Sequence, residues 1–316
     1  MDFVGKSCVV VGAGESGLAA AELLLARGAS VTVNDRRTRA ELAARASRVE
    51  GRARFVLESH DAAIFAGANL VVVSPGVPPL AVLDQIEAEG VEVIAEVELA
   101  ARLLSGVLVG ITGTNGKSTV TTLVGDMLRR SGLSTFVGGN LGLALCDAVV
   151  GDADTPDGRI VAELSSFQLE RVVELRPKVA VLLNVSPDHL DRYPNVADYA
   201  NAKARIFAAQ REGDHAVLPA RDSACRKLRP RRPGPAVHEF GVSGEVRLEG
   251  EVILDEVTGW RFPLAELALE GRHNQMNACA AVLAARLAGA SGDAMAASLR
   301  EVEGLPHRAQ LVRTLD

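Results

Sequence analysis

The chain has 316 residues, of which 48% are hydrophobic and only 3% aromatic, and its net charge is −6. This length predicts two domains, the acidic balance argues against nucleic-acid and membrane-surface partners, and the few aromatic rings argue against stacking on single-stranded nucleic acid. No apolar run approaches the ~20 residues of a membrane helix, and no leader pattern opens the chain. The four cysteines show no metal or disulfide spacing, so we expect a cytoplasmic protein without membrane insertion.

Short apolar strands and helices alternate through the first part of the chain. The predicted strands are Ser7–Val11, Ser30–Asn34, Leu70–Val73 and Val91–Ile94, and the predicted helices are Ser16–Arg27 and Leu80–Glu89. Each helix is followed by a glycine, Gly28 or Gly90, in the position that tolerates a left-handed backbone. This alternation predicts a Rossmann-like, doubly wound parallel sheet over residues 1–95.

A second α/β domain is predicted over residues 96–306. Its predicted strands are Val107–Ile111, Arg159–Ala162 and Lys178–Leu183, and its predicted helices run from Lys117 to about Arg130, over Ala197–Gln210 and over Gln275–Ala288. Alternating runs broken by glycine predict a small antiparallel sheet over Gly244–Pro263. The basic, proline-rich stretch from Arg221 to Pro235 predicts a solvated loop.

The segment TGTNGKST, from Thr112 to Thr119, lies between a predicted strand and a predicted helix. Backbone N–H groups of such a loop converge on phosphate oxygens, and the helix N-terminus adds positive potential. Lys117 would meet the β- and γ-phosphates and Ser118 would ligate Mg²⁺. The strict P-loop pattern has a glycine where Ile111 stands, so Gly113 supplies the flexibility instead. The predicted ATP-binding residues are Gly113, Thr114, Asn115, Gly116, Lys117, Ser118 and Thr119.

A second glycine-rich turn, GAGESG from Gly12 to Gly17, follows the first strand, and Asp35 ends the next one. Taken alone this pattern indicates dinucleotide binding, with the glycines near a pyrophosphate and the acid on a ribose. The same turn can equally hold the diphosphate of a UDP-sugar, or it can be a tight turn without a ligand. A P-loop in the next domain favours the UDP-sugar, because a dehydrogenase has no use for ATP hydrolysis.

Three further polar residues follow strands or lie on a helix of the second domain. Glu163 ends a predicted strand beside the P-loop, where an acid is well placed to ligate the nucleotide's Mg²⁺. His189 follows the strand Lys178–Leu183, and Lys203 lies in a predicted helix. Histidine is an unusual ligand for Mg²⁺, and a helical lysine is usually solvated. The residues alone therefore support Glu163 and leave the roles of His189 and Lys203 open.

The order of these motifs resembles that of the Mur ligase family. The matching segments are TGTNGKST, ELSSFQLE, SPDHLDRY, YANAKARIF, GRHNQMNACAA and GLPHR. The resemblance spans nearly the whole chain. It is closest to the D-glutamate-adding branch of the family, because of GAGESG, Ser74-Pro75-Gly76 and the run from Ser165 to Leu169.

The resemblance implies roles for individual residues. The uridine diphosphate of the substrate is expected near Glu15, Ser16, Asp35, Arg36, Arg37 and Ser74, and its sugar or peptide part near Asn140 and Gln168. Two Mg²⁺ sites are implied, with ligands from Ser118, Glu163, His189 and Lys203, the last as a carbamylated lysine. Lys117, Glu163, His189 and Lys203 are the implied catalytic residues. Nucleotide contacts are also implied for Asn274, Asn277 and Arg308.

The implied reaction is an ATP-dependent amide-bond formation by a monomeric enzyme. The terminal carboxylate of UDP-N-acetylmuramoyl-L-alanine attacks the γ-phosphate of ATP, and the amine of D-glutamate then displaces phosphate from the acyl phosphate. In the family a third domain follows GLPHR, whereas here eight residues follow Arg308. Residues 307–316 are therefore expected to begin a linker, and the chain is expected to be a truncated, poorly active form.

Several alternatives remain at this point. They are a NAD-dependent dehydrogenase, a non-catalytic module that binds a UDP-sugar-peptide, a sister ligase that adds another amino acid, and a folate polyglutamate synthetase. The dehydrogenase leaves TGTNGKST unexplained, and the expected UDP-binding residues weigh against the folate enzyme. The amino acid that is added is not legible, because the residues that would select it are expected in the absent domain.

Overall fold

The computed structural model describes residues 2–231 and 233–303. Fourteen strands lie within this part of the chain: β1 Ser7–Val11, β2 Ser30–Asp35, β3 Arg54–Leu57, β4 Leu70–Val73, β5 Glu92–Ala95, β6 Val107–Thr112, β7 Thr135–Gly139, β8 Arg159–Glu163, β9 Val179–Leu182, β10 His215–Pro219, β11 Ala236–Gly241, β12 Val246–Glu249, β13 Val252–Asp255 and β14 Arg261–Pro263. The α-helices of the same described residues are α1 Glu15–Ala26, α2 Arg39–Ala46, α3 Ala81–Ala88, α4 Glu96–Ala101, α5 Lys117–Arg130, α6 Ser166–Leu169, α7 Val196–Ala204, α8 Ser223–Lys227, α9 Arg272–Leu287 and α10 Gly292–Glu301.

The chain divides into two compact units. The first comprises Met1–Ser105, Gly138–Asp154 and Ser166–Leu175, and the second comprises Gly106–Val137, Thr155–Ser165 and Arg176–Asp316. No helix of the described residues combines the length and the apolar character that a bilayer crossing requires.

The first unit contains a five-stranded sheet in the order β3-β2-β1-β4-β5. All four pairings are parallel, which confirms the predicted Rossmann-like fold. The central strands are almost entirely apolar and buried, as expected of strands covered on both faces. The order of strands reverses direction between β1 and β4, and in such sheets ligands bind outside the carboxyl ends of the strands at this switch point.

The second unit contains a nine-stranded sheet in the order β14-β13-β12-β11-β10-β9-β6-β8-β7. Strand β6 pairs in parallel with β8 and β9, so the loop after β6 is flanked by the ends of both neighbours. The antiparallel pairs predicted over Gly244–Pro263 are present as β12, β13 and β14. They extend the parallel sheet through the β11–β12 pairing instead of forming a sheet of their own.

Two predicted elements of the second unit differ from the structure. The helix predicted over Ala197–Gln210 ends at Ala204, where Arg205–Phe207 tighten into a 3₁₀ turn, as the last turn of a helix often does. The stretch Arg221–Pro235 is not loop throughout, because Asp222 accepts a hydrogen bond from the Cys225 N–H and caps the short helix α8. The core of this unit is formed where α5 and α9 pack against the sheet.

Candidate functional site

A cavity of about 430 Å³ lies at the carboxyl ends of β1, β2 and β4 in the first unit. It is lined by Gly12, Gly14, Glu15, Ser16, Asp35, Arg36, Arg37, His60, Ser74, Pro75, Gly76, Val77 and Pro78. All six residues expected near a uridine diphosphate are in this set. The cavity is thus at the switch point of the sheet, where the topology predicts a ligand.

The glycine-rich turn after β1 is closely packed against the end of β4. The Ser74 hydroxyl donates a hydrogen bond to the carbonyl of Gly12 at 3.0 Å. A Cβ atom at Gly17 would overlap that same carbonyl and the Ser74 hydroxyl, so only glycine fits at this position. Helix α1 begins directly after Gly14 and leaves its first backbone N–H groups without partners inside the helix. The turn therefore has the form that binds a diphosphate.

Asp35 is engaged by donors of its own chain. Its Oδ2 accepts from the Ala13 N–H at 2.6 Å, and Arg37 makes hydrogen bonds to both carboxylate oxygens, at 2.7 and 3.0 Å. Burial disfavours the charged form, but the bonds from Arg37 and Ala13 outweigh it and lower the pKa of Asp35 to about 2. A carboxylate with both oxygens occupied is a poor acceptor for a ribose hydroxyl, which weighs against the dehydrogenase alternative.

Two residues of this region, Asn34 and His60, were not predicted from the sequence. Asn34 is fully buried, and its backbone carbonyl accepts from the Gly12 N–H at 2.8 Å. Its side chain contacts the segment after β3, including the His60 ring that lines the cavity. Neither residue belongs to a recognisable motif, and only the pairing of β2 with β3 brings them together.

Asn140 and Gln168, expected near the sugar or peptide part of the substrate, both belong to the first unit. Asn140 is exposed just after β7, whereas Gln168 is buried on α6. Neither is among the residues that line the cavity. Their assignment to the substrate stays a prediction.

The TGTNGKST segment of the second unit forms a loop between β6 and α5. Gly116 has a φ of +84°, and a Cβ atom there would overlap the side-chain oxygen of Asn277. The ammonium group of Lys117 donates to the carbonyls of Gly113 and Thr114, at 3.0 and 2.9 Å. Ser118 and Thr119 lie in the first turn of α5, whose N-terminus faces the loop. The arrangement is that of a phosphate-binding loop.

Ser118 and Glu163 lie side by side below this loop. Glu163 ends β8 opposite Ile111 of β6, and its Oε2 accepts a hydrogen bond from the Ser118 hydroxyl at 2.7 Å. Both side chains are buried, 1% exposed each. Across residues 2–231 and 233–303, no group of three or more His, Cys, Asp or Glu is arranged to hold a metal ion. Two oxygen ligands nevertheless fit Mg²⁺, which usually takes one or two protein ligands together with substrate phosphates and water.

Three residues that no sequence motif assigned to the site hold the phosphate loop, two from the loop after β9 and one from α7. The side chain of Asn184 pairs with the backbone of Asn115, at 2.9 and 3.0 Å, and its carbonyl accepts from the Thr114 N–H. The Thr114 hydroxyl accepts from the Ser186 N–H at 3.1 Å and from the Tyr199 hydroxyl at 3.2 Å. These bonds fix the loop by contacts distant in sequence.

Lys203 is a buried titratable group of the second unit with a strongly shifted pKa. Its side chain is 1% exposed, its Nζ donates to the Gly113 carbonyl at 2.9 Å, and the Tyr199 ring lies 4.5 Å from Nζ. Burial and the neighbouring charge of Lys117 lower the pKa of Lys203 to about 7. A buried lysine that is substantially neutral is nucleophilic, unlike the solvated lysine that a helical position alone would suggest.

His189 lies in the loop after β9, close to Tyr199, with a ring-centroid separation of 6.0 Å. Its φ is +51°, and among the described residues only Glu58 shares a positive φ without being glycine. Such a backbone is strained in a residue with a side chain, and strain of this kind is found most often at functional sites. The side chain is 44% exposed and near Asp188. A metal or substrate role for His189 stays a prediction.

Two of the three predicted nucleotide contacts outside the loop lie at the start of α9. Asn277 is buried behind Gly116, and its amide donates to the Asn274 oxygen at 3.3 Å. The Asn274 amide donates to the Glu270 carbonyl. Arg308 lies outside the described residues.

Two family models match most of the chain. Residues 6–95 match the family described as Mur ligase MurD-like, N-terminal domain, and residues 111–285 match the Mur ligase middle domain. The UDP-N-acetylmuramoylalanine–D-glutamate ligase of Anaeromyxobacter dehalogenans is 47% identical, over 98% of this chain and 70% of the relative. The corresponding ligase of Geobacter metallireducens is 42% identical, over 100% and 71%.

Solved structures show the same fold. The UDP-N-acetylmuramate:L-alanyl-gamma-D-glutamyl-meso-diaminopimelate ligase from Neisseria meningitides aligns with a TM-score of 0.64 and 19% identity, over 95% of this chain and 99% of that chain. The MurF ligase from Thermotoga maritima in complex with ADP aligns with a TM-score of 0.54 and 19% identity, over 98% and 66%. The two matched family models and the identity to both ligases over nearly all of this chain lead to one conclusion. The chain belongs to the Mur ligase family, on its UDP-N-acetylmuramoylalanine–D-glutamate ligase branch.

Proposed function

We propose that the chain carries the machinery of an ATP-dependent ligase that joins UDP-N-acetylmuramoyl-L-alanine to D-glutamate in peptidoglycan precursor synthesis. The observation that carries this proposal is the 47% identity, over 98% of the chain, to a ligase of that name. The phosphate loop over the Ser118–Glu163 pair supports the use of ATP. We also propose that the protein works in the cytoplasm as a monomer.

The UDP-linked substrate and ATP are proposed to bind to different segments of the chain. Residues 1–95 are proposed to bind the uridine diphosphate in the cavity beside Ser74, and residues 96–306 to bind ATP. The sugar-peptide contacts of Asn140 and Gln168, and the nucleotide contacts of Asn274, Asn277 and Arg308, are part of the same proposal.

The reaction begins with phosphoryl transfer. The carboxylate oxygen of the alanine forms a bond to the γ-phosphorus, the bond from that phosphorus to ADP breaks, and an acyl phosphate results. The N–H groups at the start of α5 and the Lys117 ammonium stabilise charge on the phosphate oxygens. The amine of D-glutamate then bonds to the acyl carbon, and phosphate and a proton leave.

Ser118 and Glu163 are proposed to hold Mg²⁺, since both offer oxygen atoms directly under the phosphate loop. When bound, the ion neutralises charge on the β- and γ-phosphates. Ser118 and Glu163 would hold the ion through their side-chain oxygens. A second Mg²⁺ is proposed near His189 and Lys203.

Lys203 is proposed to be carbamylated, because an ammonium group cannot ligate a cation. The neutral amine attacks CO₂, an N–C bond forms and the amine proton leaves, so a cation becomes an anion. Its pKa of about 7 makes the neutral amine available at physiological pH. Incubation with ¹³C-labelled bicarbonate should give a carbamate signal in the NMR spectrum of the protein. The signal should be absent in Lys203→Arg, and a spectrum identical for both proteins would refute the modification.

Isothermal titration tests the function. UDP-N-acetylmuramoyl-L-alanine should bind, whereas NAD and a folate should not; NAD binding would favour the dehydrogenase and folate binding the folate enzyme. ADP with Mg²⁺ should bind the parent protein and lose at least tenfold in affinity with Lys117→Ala. Lys227→Ala, which removes an exposed lysine of α8 in the same unit, is the matched control. Equal ADP affinity in all three proteins would refute the assignment of the phosphate loop.

Nucleotide-sugar binding without any ATP-dependent phosphate release would instead favour the non-catalytic module. Amide formation with a different amino acid in place of D-glutamate would favour a sister ligase. Phosphate release and product analysis with each candidate amino acid therefore separate these two outcomes from the proposed function.

A further inference from the structure

The cavity of the first unit contains a histidine whose protonation pattern is fixed by its neighbour. Asn34 donates through its side-chain nitrogen to two carbonyls, Val56 at 2.8 Å and Ser59 at 2.7 Å. The opposite orientation of this amide would place its oxygen against two carbonyl oxygens, which no hydrogen can bridge. The Asn34 oxygen must therefore be the atom that faces the His60 Nδ1, at 2.6 Å.

This contact determines the tautomer of His60. An amide oxygen accepts hydrogen bonds and cannot donate, so Nδ1 must carry the proton. In the neutral ring Nε2 is then an acceptor. Since Nδ1 is bonded to Asn34, Nε2 is the one ring nitrogen that remains to meet a molecule in the cavity that His60 lines.

The neutral ring is favoured by its surroundings. Burial and the charge of Arg36 lower the pKa of His60, and the carboxylate of Asp35 opposes them with a smaller effect. Asp35 cannot supply the acceptor in its place, because Arg37 and Ala13 occupy both of its oxygens. At the ends of β2 and β3, His60 therefore presents an acceptor that is suited to a donor group on the ligand.

The strand order indicates which part of a nucleotide this acceptor meets. In doubly wound sheets the turn after the first strand holds the diphosphate and the end of the second strand lies at the ribose. His60 follows β3, the strand beyond β2 in the sheet. Two strand spacings correspond to ~10 Å, which places His60 on the side of the base.

We propose that His60 accepts, through Nε2, a hydrogen bond from the N3–H of a uracil base, and that it makes the cavity select uridine over cytidine nucleotides. Cytosine has a lone pair at N3, so the two acceptors would repel each other. This inference rests on the proposed binding of a uridine diphosphate in the first unit.

Isothermal titration with UDP and CDP tests the inference in the unaltered chain. UDP should bind about tenfold or more tightly than CDP, because a desolvated acceptor without a donor is costly. On acidification, protonation turns Nε2 into a donor, and the preference for UDP should shrink. The diphosphate titrates alike in both ligands, so its effect cancels in the ratio of the two dissociation constants. A ratio near one at neutral pH would overturn the inference.

The variant His60→Leu should lower UDP affinity, raise CDP affinity, bring the ratio of the two dissociation constants to within about twofold of one, and remove the pH dependence of that ratio. Asp61→Asn, an exposed neighbour, is the control and should behave as the parent. If 2′-deoxy-UDP loses as much affinity as CDP, the acceptor meets the ribose and the base assignment is wrong. Failure of UDP itself to bind would refute the uridine diphosphate site, whereas equal UDP and CDP binding would refute only the role of His60.

Discussion

Two glycines at opposite ends of α5 offer a matched test of the phosphate loop. Gly116 precedes the helix and Gly132 follows it, with φ angles of +84° and +78°. A Cβ atom at Gly116 would overlap Asn277, whereas at Gly132 it would meet no atom within 4 Å. Alanine at either position therefore carries the same backbone strain, and only alanine at Gly116 also disturbs packing.

The expected magnitudes follow from these contacts. A left-handed alanine costs roughly 1–2 kcal/mol at each position. At Gly116 the buried Asn277 must also move, which breaks its 3.3 Å bond to Asn274 and costs about 1 kcal/mol more. Gly116→Ala should thus lower the free energy of unfolding by about 2–3 kcal/mol and Gly132→Ala by about 1–2 kcal/mol.

Urea denaturation measures the stability of both variants, and isothermal titration measures their affinity for ADP with Mg²⁺. Gly116→Ala should weaken ADP binding at least tenfold, because the loop N–H groups no longer converge. Gly132→Ala should stay within twofold of the parent. The reasoning is wrong if the two variants lose equal stability and bind ADP equally well.

Three other perturbations test the energetics of individual buried groups. Glu98 accepts hydrogen bonds from the backbone N–H groups of residues 173–175. Glu98→Gln should therefore lower the free energy of unfolding, measured with urea, by about 2–3 kcal/mol, whereas Glu174→Gln at an exposed neighbour should lower it by less than about 0.5 kcal/mol. Equal losses in the two variants would contradict this reasoning. Burial and the charge of His238 lower the pKa of His215. The free energy of unfolding should therefore decrease as pH falls below the ordinary histidine pKa. Urea titrations at several pH values should show a smaller decrease at acid pH in His215→Gln than in the parent. The cost of burying charged Lys203 is fully present below pH 7 and is relieved as pH rises toward its ordinary pKa of 10.5. Lys203→Met should therefore raise the free energy of unfolding near neutral pH, as measured by urea denaturation, and abolish any ligation. A destabilised variant would show that burial is not the dominant effect.

The fold was predictable where a short sequence determines local structure. The strands β1, β4 and β6 were predicted to within a residue because each is a continuous apolar run that ends in a turn. Glu163 was predicted beside the phosphate loop because parallel strands bring their carboxyl ends to one edge, and the register of β6 with β8 confirms that position.

The missed residues depend on contacts that no local pattern encodes. Asn184 and Tyr199 hold the phosphate loop from 69 and 85 positions away, and Asn34 meets His60 only because β2 pairs with β3. Their residue types are ordinary in loops and helices. The end of α7 at Ala204 was missed for a similar reason, because the alanine-rich run that continues beyond it has no helix-breaking residue.

The hydrogen bonds from Asn184, Ser186 and Tyr199 to the phosphate loop constrain the order in which the protein folds. Thr112 to Thr119 leave the ribosome well before Asn184, Ser186 and Tyr199, the partners that hold Thr114 and Asn115. Because non-local contacts form only after the intervening chain has been closed into a loop, the nascent segment cannot acquire its final shape until about residue 200 has been synthesised. Nucleotide affinity should therefore emerge late and abruptly during translation, long after the first sheet is complete.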